Sequence, residues 1–234
     1  MKPYYSLFLL ILITLKLFAV DGSKIQFSPI NHASFIIQKG DLTIFVDPVG
    51  DPEKYSSFSA PQLILVTHDH GDHFDSELLG KLKNNKTIVV APKIVTDKLG
   101  YGKTMNNGGK GTFYGIEIEA VPSYNTTPER MKFHPKGTGN GYVLTIRDEH
   151  LYISGDTENI PEMKNLKNID YAFICMNLPY TMSVEQAASA VLTINPKHVF
   201  PYHYRLKDGF SNLDKFKELV SKNPEIKVDL LKWY

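Results

Sequence analysis

Three histidines and two aspartates fall within six positions, His68-Asp69-His70-Gly71-Asp72-His73. Neutral imidazoles and carboxylates at this density suit zinc, and less specifically iron or manganese. The spacing has a geometric sense. In an extended chain alternate side chains point the same way, so His68 and His70 can reach one ion. The turn at Gly71 then sends Asp72 and His73 towards a second position. Two close dications would lower the pKa of a shared water to about 7, and the resulting hydroxide would attack a carbonyl carbon or a phosphorus. The metals would also stabilise the developing oxyanion. Asp72 is expected to shuttle a proton as well as to bind metal. The expected cofactor is one or two Zn2+ per chain, with Mn2+ or Fe2+ as alternatives.

The elements that must hold this loop can be read on either side of it. Residues 62–67 (QLILVT) form a continuous apolar run, as expected of a strand buried on both faces. It ends where the ligands begin. Residues 25–27, 34–38 and 42–47 read as three strands, with a hairpin signal at Lys39-Gly40-Asp41. Residues 76–84 read as a helix with Leu78, Leu79 and Leu82 on one face, 87–91 as another buried strand, and Pro92 as the opening of a second helix. Residues 100–115 are glycine-rich and are expected to form a small hairpin region. Further strands are expected at 116–121, 142–147, 151–154 and 171–175. Ser183-Val184-Glu185-Gln186 is a capping box that opens an alanine-rich helix to Ile194, stopped by Pro196. A short strand at 198–201 and an amphipathic helix at 212–222 close the chain. Strands followed by helices, twice over, predict two sheet-and-helix halves stacked face to face, an α+β four-layer αββα sandwich. No linker-like stretch separates them, so 23–234 reads as a single domain.

Composition narrows the function. The 234 residues carry 26 basic and 25 acidic side chains, 42% are apolar and 22% charged, which is ordinary for a chain that buries a full core. The near balance of charge argues against a nucleic-acid partner, which needs clustered Lys and Arg. Cys175 is the one cysteine, so neither an internal disulfide nor a cysteine metal cluster is expected, and a buried apolar role is. Residues 1–22 begin with Lys2, continue through an uncharged apolar run at 4–15 and turn polar at Asp21. This is the profile of a signal peptide, or of an uncleaved anchor, although the run is short for a membrane span. A periplasmic or secreted protein is expected, with membrane association through this segment if it is retained. A buried first strand or helix is the plainer alternative.

The chain resembles the metallo-β-lactamase superfamily over nearly all of its length after that segment. The resemblance rests on THDHGDH at 67–73, SGDTE at 154–158 and PYHY at 201–204. Asn31-His32-Ala33-Ser34 and Val46-Asp47-Pro48 are similar to the opening of one branch. That branch includes ascorbate-6-phosphate lactonase-like proteins and N-acyl-phosphatidylethanolamine phospholipase D. The resemblance implies the sandwich fold, with metals at one edge between the sheets. It implies His68 and His70 on the first metal and Asp72 and His73 on the second, with Asp156 bridging both and His203 completing the second site. The local setting of the last two agrees. Asp156 follows a strand and Gly155, which lets backbone approach closely, and His203 follows the strand at 199–201.

One position departs from the family pattern. The remaining ligand of the first metal is usually a histidine on the loop after the strand at 116–121. Here Asn125 stands in that place, and an amide oxygen is a weak zinc ligand. His134, further along the same loop, is the residue that can fold back to supply the imidazole. If it does not, the first site is weak or empty. Asp47 is expected to receive the second N–H of a ligating histidine, with His32 and Asn125 beside it behind the ligands. His150, in an expected hairpin turn, and His198, at a strand start, read as structural, and Trp233 as packing. The substrate is less defined. The loop 49–61, with Tyr55 and Phe58, is a candidate flap. Tyr124, Tyr180, Met182 and Tyr202 are candidates for an aromatic pocket, and Lys136 and Arg205 for an anion contact. An ester, lactone, amide or phosphodiester, small or lipid-like, fits a metal-dependent hydrolase of this kind. The alternative is a non-catalytic or mononuclear metal-binding protein with a degenerate first site.

Overall fold

Phe35 and Ile37 alternate with Ile36 along one strand, and Leu63 and Leu65 with Ile64 along another. Side chains of a strand point to opposite faces in turn, so each sheet here must bury two faces against two layers. The structure, a computed structural model that describes residues 24–234, shows those layers. The expected N-terminal signal or anchor lies outside the described residues.

The first sheet has six strands in chain order, β1 (Gln26–Asn31), β2 (Ser34–Lys39), β3 (Leu42–Val46), β4 (Leu63–Leu65), β5 (Ile88–Ala91) and β6 (Lys103–Thr104). β1 to β3 are antiparallel, and β3 to β6 run parallel. Two helices, α1 (Ser76–Leu82) and α2 (Lys93–Leu99), bury Leu78, Leu79 and Val95 against Ile36, Phe45 and Ile64 on its outer face. The Asp75 side chain accepts from the Leu78 N–H and caps α1.

The second sheet has seven strands, β7 (Lys110–Phe113), β8 (Ile116–Ser123), β9 (Gly139–Ile146), β10 (Glu149–Ile153), β11 (Tyr171–Cys175), β12 (His198–Tyr202) and β13 (Lys227–Val228). It is antiparallel from β7 to β10 and parallel from β10 to β13. Two further helices, α3 (Val184–Ile194) and α4 (Leu213–Val220), form the fourth layer; α3 packs on β11 and α4 on α3. The capping box at Ser183 and Gln186 is present. Between the sheets Phe35 stacks on Phe173 with ring centres 4.3 Å apart, and Phe27 meets the same ring edge-on at 5.0 Å. Each such side chain contributes roughly 2–3 kcal/mol through burial. The fold is the expected αββα sandwich. Among the described residues no helix is long and apolar enough to cross a membrane.

Two expectations are corrected. Residues 100–115 are not one hairpin region. β6 joins the first sheet and β7 the second, and the chain crosses between them at 105–109, where Met105 N–H donates to Ala91 and Gly108 N–H to Ala120. His150 is not in a turn. It lies within β10 opposite Thr145, and its N–H donates to Asp170.

β4, β8, β10 and β12 all deliver their C-terminal ends to one edge of the sandwich. Open sheets with parallel strands place ligand sites at such edges, because loops there converge from rigid supports.

Candidate metal centre

The loop after β4 begins as extended chain and then turns, His73 and Phe74 both donating backbone N–H to the His70 carbonyl. His68 Nε2 lies 3.1 Å from His70 Nδ1, and these two imidazoles gather with that of His134. His73 Nε2 lies 3.4 Å from Asp156 Oδ1, and its ring centre stands 4.1 Å from that of His68. Asp69 turns out of the site to pair with Lys98.

Asp156 is the centre of the arrangement. Its Oδ2 lies 3.3 Å from both His134 Nε2 and His203 Nε2. Gly155 makes this placement feasible. It holds φ +60, and a Cβ there would stand 2.7 Å from the Asn140 carbonyl oxygen. His203 Nε2 is also 3.5 Å from Asp72 Oδ2, and His32 Nε2 is 3.1 Å from that same oxygen. Three groups therefore have ligand atoms within 4.8 Å of one another: His68, His70 and His134; His68, His73 and Asp156; His32, Asp72 and His203.

Supporting contacts fix these rings. Asp47 is fully buried, accepts from the Thr67 N–H and hydroxyl, and lies 2.7 Å from His73 Nδ1. That leaves Nε2 to face the site. Asn125 Nδ2 donates to the carbonyls of Arg130 and Tyr180, and its N–H to the His134 carbonyl. His134 Nδ1 lies 3.2 Å from the Tyr180 carbonyl, which leaves Nε2 to face Asp156. Tyr234 OH bonds His32 Nδ1 at 2.8 Å. His32, Asp47 and His203 hold φ of 56, 44 and 48. For residues other than glycine this costs on the order of 1–3 kcal/mol each, and such strain gathers where side-chain placement matters.

The electrostatics sort the donors. Burial, then His73, holds His68 well below the usual histidine range, and burial lowers His32 and His70. Burial opposes ionisation of Asp156, yet His203 and His73 hold it well below the carboxylate range. Asp72 is lowered likewise by His203 and His32 against burial. Burial opposes charge on His73 and His203 most strongly, but Asp156 together with Asp47 raises His73, and Asp156 together with Asp72 raises His203. The result is ionised carboxylates, neutral imidazoles and two imidazoles that draw protons for want of another cation. Nε2 of His73, Nε2 of His134, both ring nitrogens of His203 and Oδ1 of Asp156 are buried without a hydrogen-bond partner. Buried polar atoms rarely stay unpaired. Nitrogen and carboxylate donors orphaned in this way fit a divalent cation.

The candidate pocket needs correction. Tyr202 is fully buried between Phe35 and Trp233, because alternation along β12 turns it between the sheets, and Met182 is fully buried too. Tyr124 donates its OH to Glu162, and Lys136 donates to both, so that pair is engaged outside the cleft. Tyr55 packs on Phe45 beneath the outer helices, its OH bonded to Val49, and Phe58 joins it, so loop 49–61 is no flap. The cleft over the centre has a volume of about 380 Å3; Tyr180 and Arg205 line it, together with Phe133, Asn177, Leu206 and Lys207. Sequence reasoning missed Tyr234, whose partner His32 is 202 positions away. Cys175, His198 and Trp233 have the structural settings expected: a buried thiol raised to about 12 by burial, an ion pair with Asp229, and aromatic packing.

The four-layer sandwich and the clustered imidazole and carboxylate donors at its edge point to one class of protein. The chain belongs to the beta-lactamase superfamily domain family, whose profile matches residues 25–203. It is similar to UPF0173 metal-dependent hydrolases. That of Pyrococcus horikoshii is 29% identical over 88% of this chain and 95% of its own length, and that of Ligilactobacillus salivarius 34% over 74% and 82%. A crystal structure described as a metal-dependent hydrolase from Parabacteroides distasonis is 41% identical, with a TM-score of 0.81 over 88% of this chain and 92% of that one.

Proposed function

We propose that this chain is a metal-dependent hydrolase of a small-molecule ester, lactone, amide or phosphodiester, formed by a single domain over residues 23–234. The observation that carries this reading is the set of orphaned buried donors around Asp156. His68, His70 and His134 would hold one cation. Asp72, His73 and His203 would hold a second, with Asp156 shared. Imidazole and carboxylate donors favour Zn2+, with Mn2+ or Fe2+ next. When bound, such cations supply a water nucleophile at neutral pH and stabilise charge developing on the substrate. The chain's own residues do the rest. Asp47 holds the His73 ring in place through Nδ1. Asp72 is half-exposed at the cleft and contacts His32 and His203, a position from which to pass a proton to a leaving group. Phe133 and Tyr180 give the cleft an apolar side. His134 beside Asp156 speaks against a degenerate first site, the ground for a non-catalytic reading.

Elemental analysis of protein purified without added metal, with a screen of esters, lactones, amides and phosphodiesters, tests this. Two cations per chain and turnover abolished by Asp156→Asn are expected. A metal-replete protein that turns over none of these classes, or a variant with an unchanged rate, overturns the reading. Export through residues 1–22 is part of the proposal, and cell fractionation with N-terminal sequencing checks it.

A further inference from the structure

The positive charges near the cleft divide into two kinds. Lys98 pairs with Asp69 and Lys136 with Glu162, so both are neutralised by the protein. Arg205 and Lys207 line the cleft itself, and among the described residues neither has a carboxylate partner. The acids that share the cleft, Asp72 and Asp156, face imidazoles. Arg205 and Lys207 are thus left for a ligand in this cleft, while Lys132, near His134, lies 5.1 Å from the centre of the Phe133 ring.

Their support is built rather than loose. Arg205 bridges to Phe210, Leu206 N–H donates to the Gly209 carbonyl and Ser211 N–H to the Tyr204 carbonyl, which closes a small hairpin. Ser211 Oγ donates to the Met176 carbonyl and ties that hairpin to the end of β11. The Arg205 guanidinium lies 5.9 Å from the centre of the Tyr234 ring, whose OH bonds His32. The ring that orients a histidine of the centre therefore also stations the arginine. Asn177 adds an amide. Its Oδ1 accepts from the Thr181 hydroxyl, which leaves Nδ2 as the donor for a ligand. Phe133 and Tyr180, edge to face at 5.0 Å, complete the lining with apolar surface.

We propose that the substrate is a small organic anion, with a carboxylate or phosphate group remote from the scissile bond. Arg205 and Lys207 hold that group while Phe133 and Tyr180 flank the body of the molecule. This rests on the hydrolase reading above for the reacting end of the ligand. A guanidinium offers paired N–H donors that match either oxyanion, and Lys207 adds a point charge. The cleft volume suits a molecule of one or two rings rather than a polymer.

Calorimetric binding of phenyl phosphate, benzoate and neutral benzyl alcohol to the metal-loaded protein tests this. Metals attract anions too, so the comparison is with the R205Q/K207Q double variant, its metal content verified. The wild type is expected to bind at least one anion in preference to the alcohol. The double variant is expected to bind it about ten-fold or more weakly, the effect of losing charge-assisted hydrogen bonds. The better of the two anions identifies the group. K207Q alone, a change at an exposed residue, should show part of the loss with unchanged thermal unfolding, which guards against damage to the hairpin. Equal affinity in wild type and double variant, or no binding of either anion to the wild type, overturns the proposal. Binding is read without turnover. A protein that holds anions through Arg205 and Lys207 but hydrolyses nothing would leave this pocket standing and overturn the hydrolase reading alone.

Discussion

Asn125 braces the loop that brings His134 to the centre, its N–H donating to the His134 carbonyl. Both Asn125 amide hydrogens go to backbone carbonyls, one of them Tyr180, which lies 3.2 Å from His134 Nδ1. His134→Ala is therefore expected to remove one cation per chain, read by elemental analysis, while leaving the Asp72–His203 side loaded. An unchanged metal count would refute this division. Asp47→Asn keeps the shape but weakens the hold on His73, and metal affinity should fall about 10–100-fold in a chelator competition, the usual scale for a residue behind a ligand. At this scale the sequence was most legible where the candidate ligands are contiguous. His68 to His73 carry their chemistry in their spacing. His32 needs Tyr234 from the far end of the chain, and no local pattern announces such a pair.

At the scale of elements, the loop between β8 and β9 has to be held if His134 is to stay in place. Glu158 holds it. Its side chain is fully buried and accepts from the N–H and hydroxyl groups of Thr126 and Thr127 and from Arg130. Burial alone would raise its pKa, but the Thr127 and Thr126 donors bring it down to about 2. The folded pKa lies below that of an unfolded glutamate. The carboxylate thus contributes stability above roughly pH 4.3, and loses it as pH falls towards 2. Glu158→Gln should flatten the acid limb of a pH series of urea unfolding between those limits. Glu158→Ala should cost about 3 kcal/mol at pH 7, since it strands Arg130. An acid limb identical to wild type would show that the clamp contributes nothing. The strands themselves were legible, because burial on two faces writes apolar runs into the sequence. The crossing at 105–109 was not. β6 is only two residues long, and its pairing with β5 is a tertiary choice that glycine-rich sequence does not encode locally.

Across the whole molecule, the donors come from both halves of the sandwich. His68, His70, Asp72 and His73 follow the first sheet's β4, whereas His134, Asp156 and His203 follow β8, β10 and β12 of the second. A cation bound by both sets links the sheets at the edge where His32, Asp47 and His203 carry strained backbone. It also relieves the buried donors that lack partners. Metal held only by the folded state stabilises by mass action, by about 4 kcal/mol when free metal stands a thousand-fold above its Kd. For a chain of this size that corresponds to roughly 8–16 °C in Tm. Chelation should therefore lower Tm by about that much, and added Zn2+ should restore it. In His203→Ala, which keeps the first-sheet donors but loses a second-sheet one, the shift on chelation should shrink. If chelation left the wild-type Tm unmoved, the centre would be no link between the sheets, and the strain at this edge would have to be offset by the protein's own contacts.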